Sequence, residues 1–168
     1  MNTDMNPEAG ESAPVLRKPD WLKLRLRSGG DLSAVNEILT RYALNTVWKE
    51  ANCPNRMECY SKRTATFMIL GAVCSRNCAF CNVTMGSPET VDPDGPRRVL
   101  EAGRELGLKY VVITSVTRDD LTDGGSAHFA HVIRTLKDSL PDLLVEVLIP
   151  DFKGDRNALR TVVSARPD

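Results

Sequence analysis

Three short stretches of nearly unbroken apolar residues, each followed by a helical pattern, restrict the fold of this chain more than anything else in it. They are TATFMILG (64–71), YVVITSV (110–116) and LLVEVLI (143–149). Apolar residues at successive positions put apolar side chains on both faces of a strand, as in a parallel sheet covered on both sides. Between them the period changes. From Pro96, a favourable first helical residue, Val99, Leu100, Ala102 and Leu106 fall on one helical face, with Gly107 as the stop. Residues 126–140 repeat the pattern with Phe129, Val132, Ile133, Leu136 and Leu140. Asp155 is placed to cap a last helix that carries Leu159, Val162 and Val163 inward. Three strand–helix units in this order imply right-handed crossovers and an α/β fold. Ala165-Arg166-Pro167-Asp168 falls where another strand is expected. Three parallel strands leave an open edge. The expectation is therefore a parallel partial (βα) barrel cut after about three βα units.

The region before the first strand reads differently. Residues 1–17 look like a disordered tail, polar and acidic at the start, without the basic and apolar parts of a secretory signal. Residues 18–63 form a helical and cysteine-bearing extension, and 64–168 the first half of the barrel. In the extension, Trp21, Leu22, Leu24 and Leu26 offer apolar anchors among basic residues. From Asp31, a plausible N-cap, Leu32, Val35, Ile38, Leu39 and Tyr42 share one helical face. The formal net charge is zero, so no global charge argues for nucleic acid or an anionic membrane surface as partner. No apolar run approaches the roughly 20 residues that span a bilayer. A cytoplasmic protein is expected.

The five cysteines, Cys53, Cys59, Cys74, Cys78 and Cys81, all lie in one segment of the chain. An odd, clustered set without a signal peptide points to metal or cluster binding rather than disulfides. Cys74-Ser-Arg-Asn-Cys78-Ala-Phe-Cys81 directly follows the first strand. Three thiolates on a short loop can hold three irons of a [4Fe–4S] cluster, leaving the fourth open to a small chelating cofactor such as S-adenosylmethionine (SAM). Phe80 is expected beside the cluster. The rival is a structural zinc site, with Cys53 or Cys59 as fourth ligand. The loop falls at the carboxyl end of a parallel strand, where α/β barrels carry their active sites.

The stretch ANCPNRMECYSKRTATFMILGAVCSRNCAFCNV (51–83) resembles the signature region of lipoyl synthases, members of the radical SAM superfamily. The likeness continues in KPDWLK (18–23), YVVITSVTRDDLTDGGSAHFAHVI (110–133) and VEVLIPDFKGD (145–155). It implies a partial barrel of the radical SAM type and a sulfurtransferase that inserts two sulfurs into an octanoyl group. That group would sit on a lysine of a lipoyl carrier protein, either a 2-oxoacid dehydrogenase E2 domain or a glycine cleavage H protein. Reduced ferredoxin or flavodoxin is the implied electron donor. Two [4Fe–4S] clusters are implied as well, with Cys74, Cys78 and Cys81 on the SAM cluster. The family's auxiliary cluster, its sulfur source, takes three cysteines spaced Cys-x4-Cys-x5-Cys and a serine near the C-terminus. Cys53 and Cys59 match the last two cysteines, but Trp48 stands at the first. Tryptophan has no thiolate to offer. The chain also stops before such a serine, which suggests a truncated protein of doubtful activity. A non-catalytic remnant holding one cluster is the alternative.

Other polar residues have two readings. Thr114, Ser115, Asp119 and Asp120 follow the second strand and are candidates to receive the amino end of SAM, or else cap the turn. Glu146 lies among apolar neighbours and is a candidate for the SAM ribose or a buried cation. Gly124-Gly125 reads as a tight turn. His128 and His131 share a helical face but have no third ligand nearby in sequence, so a structural use is expected. Lys62 and Arg63 read as a solvated basic face.

Overall fold

The computed structural model describes Pro19, residues 30–51, Cys53 and residues 55–168, without the side chains of residues 30–32, 56, 57 and 60. The expected tail 1–17, the KPDWLK segment apart from Pro19, and the anchors Trp21, Leu22, Leu24 and Leu26 lie outside the described residues. The first helix, α1 (Gly30–Arg41), buries Leu39 and half-buries Val35 and Ile38 of the expected face. It begins at Gly30, so Asp31 sits inside the first turn. A two-residue strand β1 (Asn45–Thr46) follows, then the short helices α2 (Val47–Glu50) and α3 (Arg56–Ser61). None of these three was legible, because two to six residues are too few to show a period.

The body has the expected order: β2 (Thr64–Met68), α4 (Gly95–Glu105), β3 (Tyr110–Thr114), α5 (Ser126–Ser139), β4 (Leu144–Leu148) and α6 (Arg156–Val163). The strands run in the order β1-β2-β3-β4, with β1 antiparallel to β2 and the other pairs parallel. This is an open four-stranded sheet. One face carries Ala65, Phe67, Val111, Ile113 and Val145, all buried in a cluster with Val99, Phe129, Ile133, Leu136 and Val162 of the helices. Burial of aliphatic and aromatic side chains on this scale, at about 1.5–3 kcal/mol each, is what holds sheet and helices together.

The register puts Leu144, Glu146 and Leu148 opposite Tyr110, Val112 and Thr114 on the other face. There β4 departs from the expected two-sided burial: Leu148 is 63% exposed and Leu144 49%. Among the described residues, helices α4, α5 and α6 pack against the face that carries Val111 and Val145. At the strand's free edge, Val145 O accepts from Asp168 N, and Val145 N donates to the Asp168 carboxylate, which Lys137 also holds.

Asp155 caps α6 as expected, its Oδ1 accepting from Asn157 N at 2.7 Å. The inward face is nonetheless shifted. Ala158 and Val162 are buried, whereas Leu159 and Val163 point outward. The cap fixes the helical phase, and residues four apart then face α5.

Gly125 opens α5 with φ +89°, and a Cβ there would come within 2.3 Å of Cδ1 of the buried Leu70. Gly125→Ala is expected to combine left-handed strain with overpacking and to lower stability by about 2–3 kcal/mol. Chemical denaturation monitored by circular dichroism checks this; an unchanged midpoint would contradict the packing described.

Candidate functional site: the cysteine loop at the carboxyl end of the sheet

After β2, Gly71 (φ +98°) turns the chain into a long loop that carries the three cysteines. The two ends of that loop are stitched together. Cys74 N donates to Thr84 O at 2.8 Å, and Gly86 N donates to Cys74 O at 3.0 Å. The loop is also tied to the segment after β3. Ser75 N and Ser75 Oγ both donate to Thr117 O, and Ser75 Oγ accepts from Asp119 N.

These contacts define the surroundings of Cys74. Its sulfur is half-buried and accepts from Arg76 N and Thr117 N, both at 3.4 Å. Two N–H dipoles are thus aimed at one sulfur. Cys78 and Cys81 are exposed and share a turn, with Cys81 N donating to Cys78 O. Phe80 is 94% exposed. Among the described residues, no three His, Cys, Asp or Glu side chains stand together to hold a metal ion. The thiols therefore share one loop without being gathered at a point. The donor set fits an iron–sulfur cluster: three soft sulfurs, one already polarised by N–H groups and two unburdened by other contacts.

The polar residues singled out after β3 divide into occupied and free groups. Thr114 Oγ1 donates to Leu148 O, tying β3 to β4. Ser115 Oγ is buried and has no hydrogen-bond partner. Asp119 is held by Arg76, and Asp120 by the buried Arg118, which also donates to Leu70 O. Glu146 is exposed and accepts from the Tyr110 hydroxyl, which raises the pKa of that phenol. A cavity of about 210 Å³ opens between the loops after β3 and β4, against Thr117, Asp119, Asp123, Phe152 and Lys153.

Arg76 and Asp151 belong to this region although neither was picked out from the sequence. Arg76 lies between the cysteines and donates to both oxygens of Asp119 and to Asp151 Oδ2. The hydrogen bond from Arg76 pulls the Asp151 carboxyl down to about 2, and that of Asp119 is lowered by the same guanidinium. A carboxylate lowered in this way favours the folded state fully above its ordinary range near 4. The contribution fades as pH falls toward about 2, so the ion pairs stay closed near neutrality.

The remaining candidates lie elsewhere. Trp48, on α2, is buried in the hydrophobic cluster with Leu39. Cys53 packs against that cluster, and Cys59 lies in α3; burial, then the neighbouring Cys53, pushes the Cys59 thiol up. Lys62 pairs with Glu58 on the surface, and Arg63 adopts a left-handed turn conformation before β2. His128 is half-buried, its Nε2 unpartnered and its pKa pushed down by burial, while His131 is exposed.

Fold and loop together define an α/β chain with a three-cysteine loop at the carboxyl end of a parallel sheet. Over 154 residues, 92% of this chain and 53% of the relative, it is 54% identical to the lipoyl synthase of Alkaliphilus metalliredigens. It is 58% identical to that of Caldanaerobacter subterraneus subsp. tengcongensis over 92% of the chain and 54% of the relative. With that of Nitratidesulfovibrio vulgaris the figures are 55% identity, 93% and 52%. The resemblance to lipoyl synthases read from the motifs is thereby shown, and the chain spans about half the length of the curated relatives it matches. No family model matches it. Among the described residues, no helix is long and apolar enough to cross a membrane.

Proposed function

We propose that this chain carries the SAM-binding half of a lipoyl synthase-type radical SAM sulfurtransferase, with residues 64–168 as the first part of its partial barrel. The observation that carries the reading is the Cys74–Cys81 loop, set at the carboxyl end of β2 with the Cys74 sulfur accepting two backbone N–H groups. Cys74, Cys78 and Cys81 would hold a [4Fe–4S] cluster. When bound, that cluster supplies the electron that breaks a C–S bond of SAM.

The chain's own residues set the conditions around it. The N–H groups of Arg76 and Thr117 fix the position of the Cys74 sulfur. Ser115 Oγ, buried and unpartnered, is the free polar group suited to the amino end of SAM, with Thr114 beside it. Asp119, held by Arg76, lines the cavity between the loops, while Asp120 pairs with the buried Arg118. Glu146 faces the open side of the sheet and suits the ribose hydroxyls.

In the complete activity, Cys53 and Cys59 belong to the auxiliary cluster. The substrate is an octanoylated lipoyl carrier protein, from a 2-oxoacid dehydrogenase or the glycine cleavage system, in the cytoplasm. Electrons come from reduced ferredoxin or flavodoxin.

The test is anaerobic reconstitution with iron and sulfide, then SAM and dithionite, with 5′-deoxyadenosine quantified by mass spectrometry. Product is expected from the parent chain and is expected to vanish with Cys81→Ala. About one equivalent of zinc, no iron and no product would favour a structural zinc module instead.

A further inference from the structure

Three successive strand-to-helix loops meet on one side chain. Arg76, inside the cysteine loop after β2, gives Nε and Nη2 to the two carboxylate oxygens of Asp119, at 2.6 and 2.9 Å. Asp119 belongs to the loop after β3. The remaining terminal nitrogen, Nη1, reaches Asp151 Oδ2 at 2.8 Å, in the loop after β4. A planar guanidinium can serve two carboxylates at once in this way, whereas an ammonium cannot match the fork.

The loop after β4 adopts a strained turn to take part. Phe152 and Lys153 have φ values of 47° and 53°, a left-handed conformation that side chains with a Cβ resist. The strain is held by packing and local hydrogen bonds. Phe152 is buried, edge-on to Phe129 at 6.2 Å, and Asp151 caps its own turn by accepting from Lys153 N. The turn presents Asp151 to Arg76. It also brings Lys153 Nζ to 3.5 Å from Asp119 Oδ1 and 3.4 Å from Asp119 O. Strained backbone kept by surrounding packing is a mark of a conformation that does something other than stabilise.

We propose that Arg76 is a positioning residue that clamps the cysteine loop to the loops after β3 and β4, holding the Cys74 sulfur beneath its two N–H donors. The Arg76 guanidinium acts through the two carboxylates, while its backbone N–H is one of the two donors to the Cys74 sulfur. The proposal deepens the cluster reading above and rests on it only for what the clamped loop holds. Without the clamp, the Thr117 N–H and the Ser75 contacts are no longer fixed over Cys74, and the loop opens more often.

The first readout needs no cluster. In the apo chain, Arg76→Gln is expected to raise the iodoacetamide alkylation rate of Cys74 about tenfold relative to the already exposed Cys78, the effect of losing charge-assisted bonds from a local opening equilibrium. Deuterium uptake should rise at residues 75–81 and 117–119, with the melting midpoint nearly unchanged. Asp151→Asn should shift the same ratio less. Arg76→Lys, able to keep one carboxylate, should recover part of the protection. In reconstituted protein, a chelator should strip iron from Arg76→Gln about tenfold faster.

An unchanged Cys74-to-Cys78 ratio and unchanged exchange would overturn the clamp. So would equal acceleration at all five cysteines with an early melt, which is general unfolding. If the ratio changes as expected but neither parent nor variant takes up iron, the clamp stands and the cluster reading fails.

Discussion

Replacing Cys78 with alanine is expected to remove nearly all the iron that the anaerobically reconstituted chain binds at the Cys74–Cys81 loop. The parent loop is expected to take about four irons, the content of one cubane with an open corner. Two remaining thiolates leave two irons without a protein ligand, and bound iron should fall by more than about tenfold, since even outer-shell changes cost metal sites 10–100-fold. The exposure of Cys78 makes the experiment clean. Its thiol contributes nothing to the hydrophobic cluster, so the variant should melt within about 0.5 kcal/mol of the parent. Cys53→Ala and Cys59→Ala serve as controls, because both lie before β2 and should leave this iron in place. Iron and visible absorbance together are the measurement. Full iron in Cys78→Ala, with loss in Cys59→Ala instead, would reverse the assignment of the two sites.

The sheet was legible because its strands are short apolar runs bounded by helical periods, and β2, β3 and β4 fall inside the stretches that the pattern marks. What the pattern could not carry is coverage. The run LLVEVLI looks buried on both faces, yet only Val145 is fully enclosed among its central residues, because among the described residues the helical cluster meets the face that carries Val145. Helical phase was equally out of reach at α6, where Leu159, Val162 and Val163 are all apolar; the Asp155 cap decides among them.

At the site, the cysteine loop was visible from composition alone, since thiols in one short segment have few other uses. The partners of Asp119 were not. Its sequence neighbours suggest a turn or a cofactor contact, and the residue that in fact holds it is 43 positions away. An arginine flanked by cysteines and an aspartate just past a strand are individually ordinary. Only the parallel register, which brings the three strand ends side by side, gives them a common meaning.

Given SAM, a strong reductant and an octanoylated carrier peptide under strict anaerobiosis, this chain is expected to form no dithiolated product. The resemblance to lipoyl synthases implies a second cluster held by three cysteines as the sulfur source, and it aligns Trp48 with the first of them. The structure shows why that residue is not a passive replacement. Trp48 is 9% exposed and belongs to the same hydrophobic cluster as Leu39, so its side chain now serves the packing of the N-terminal elements. Trp48→Cys would restore the thiolate but remove a large buried side chain, at an expected cost of about 3 kcal/mol. The substitution should therefore lower the denaturation midpoint markedly while adding less than a full second complement of iron. Cys53 and Cys59 remain as a pair, and the raised pKa of the Cys59 thiol works against the thiolate that iron requires. Mass spectrometry of the carrier peptide decides the matter. Two sulfurs inserted by the unmodified chain would mean that an auxiliary cluster forms without a thiolate at position 48.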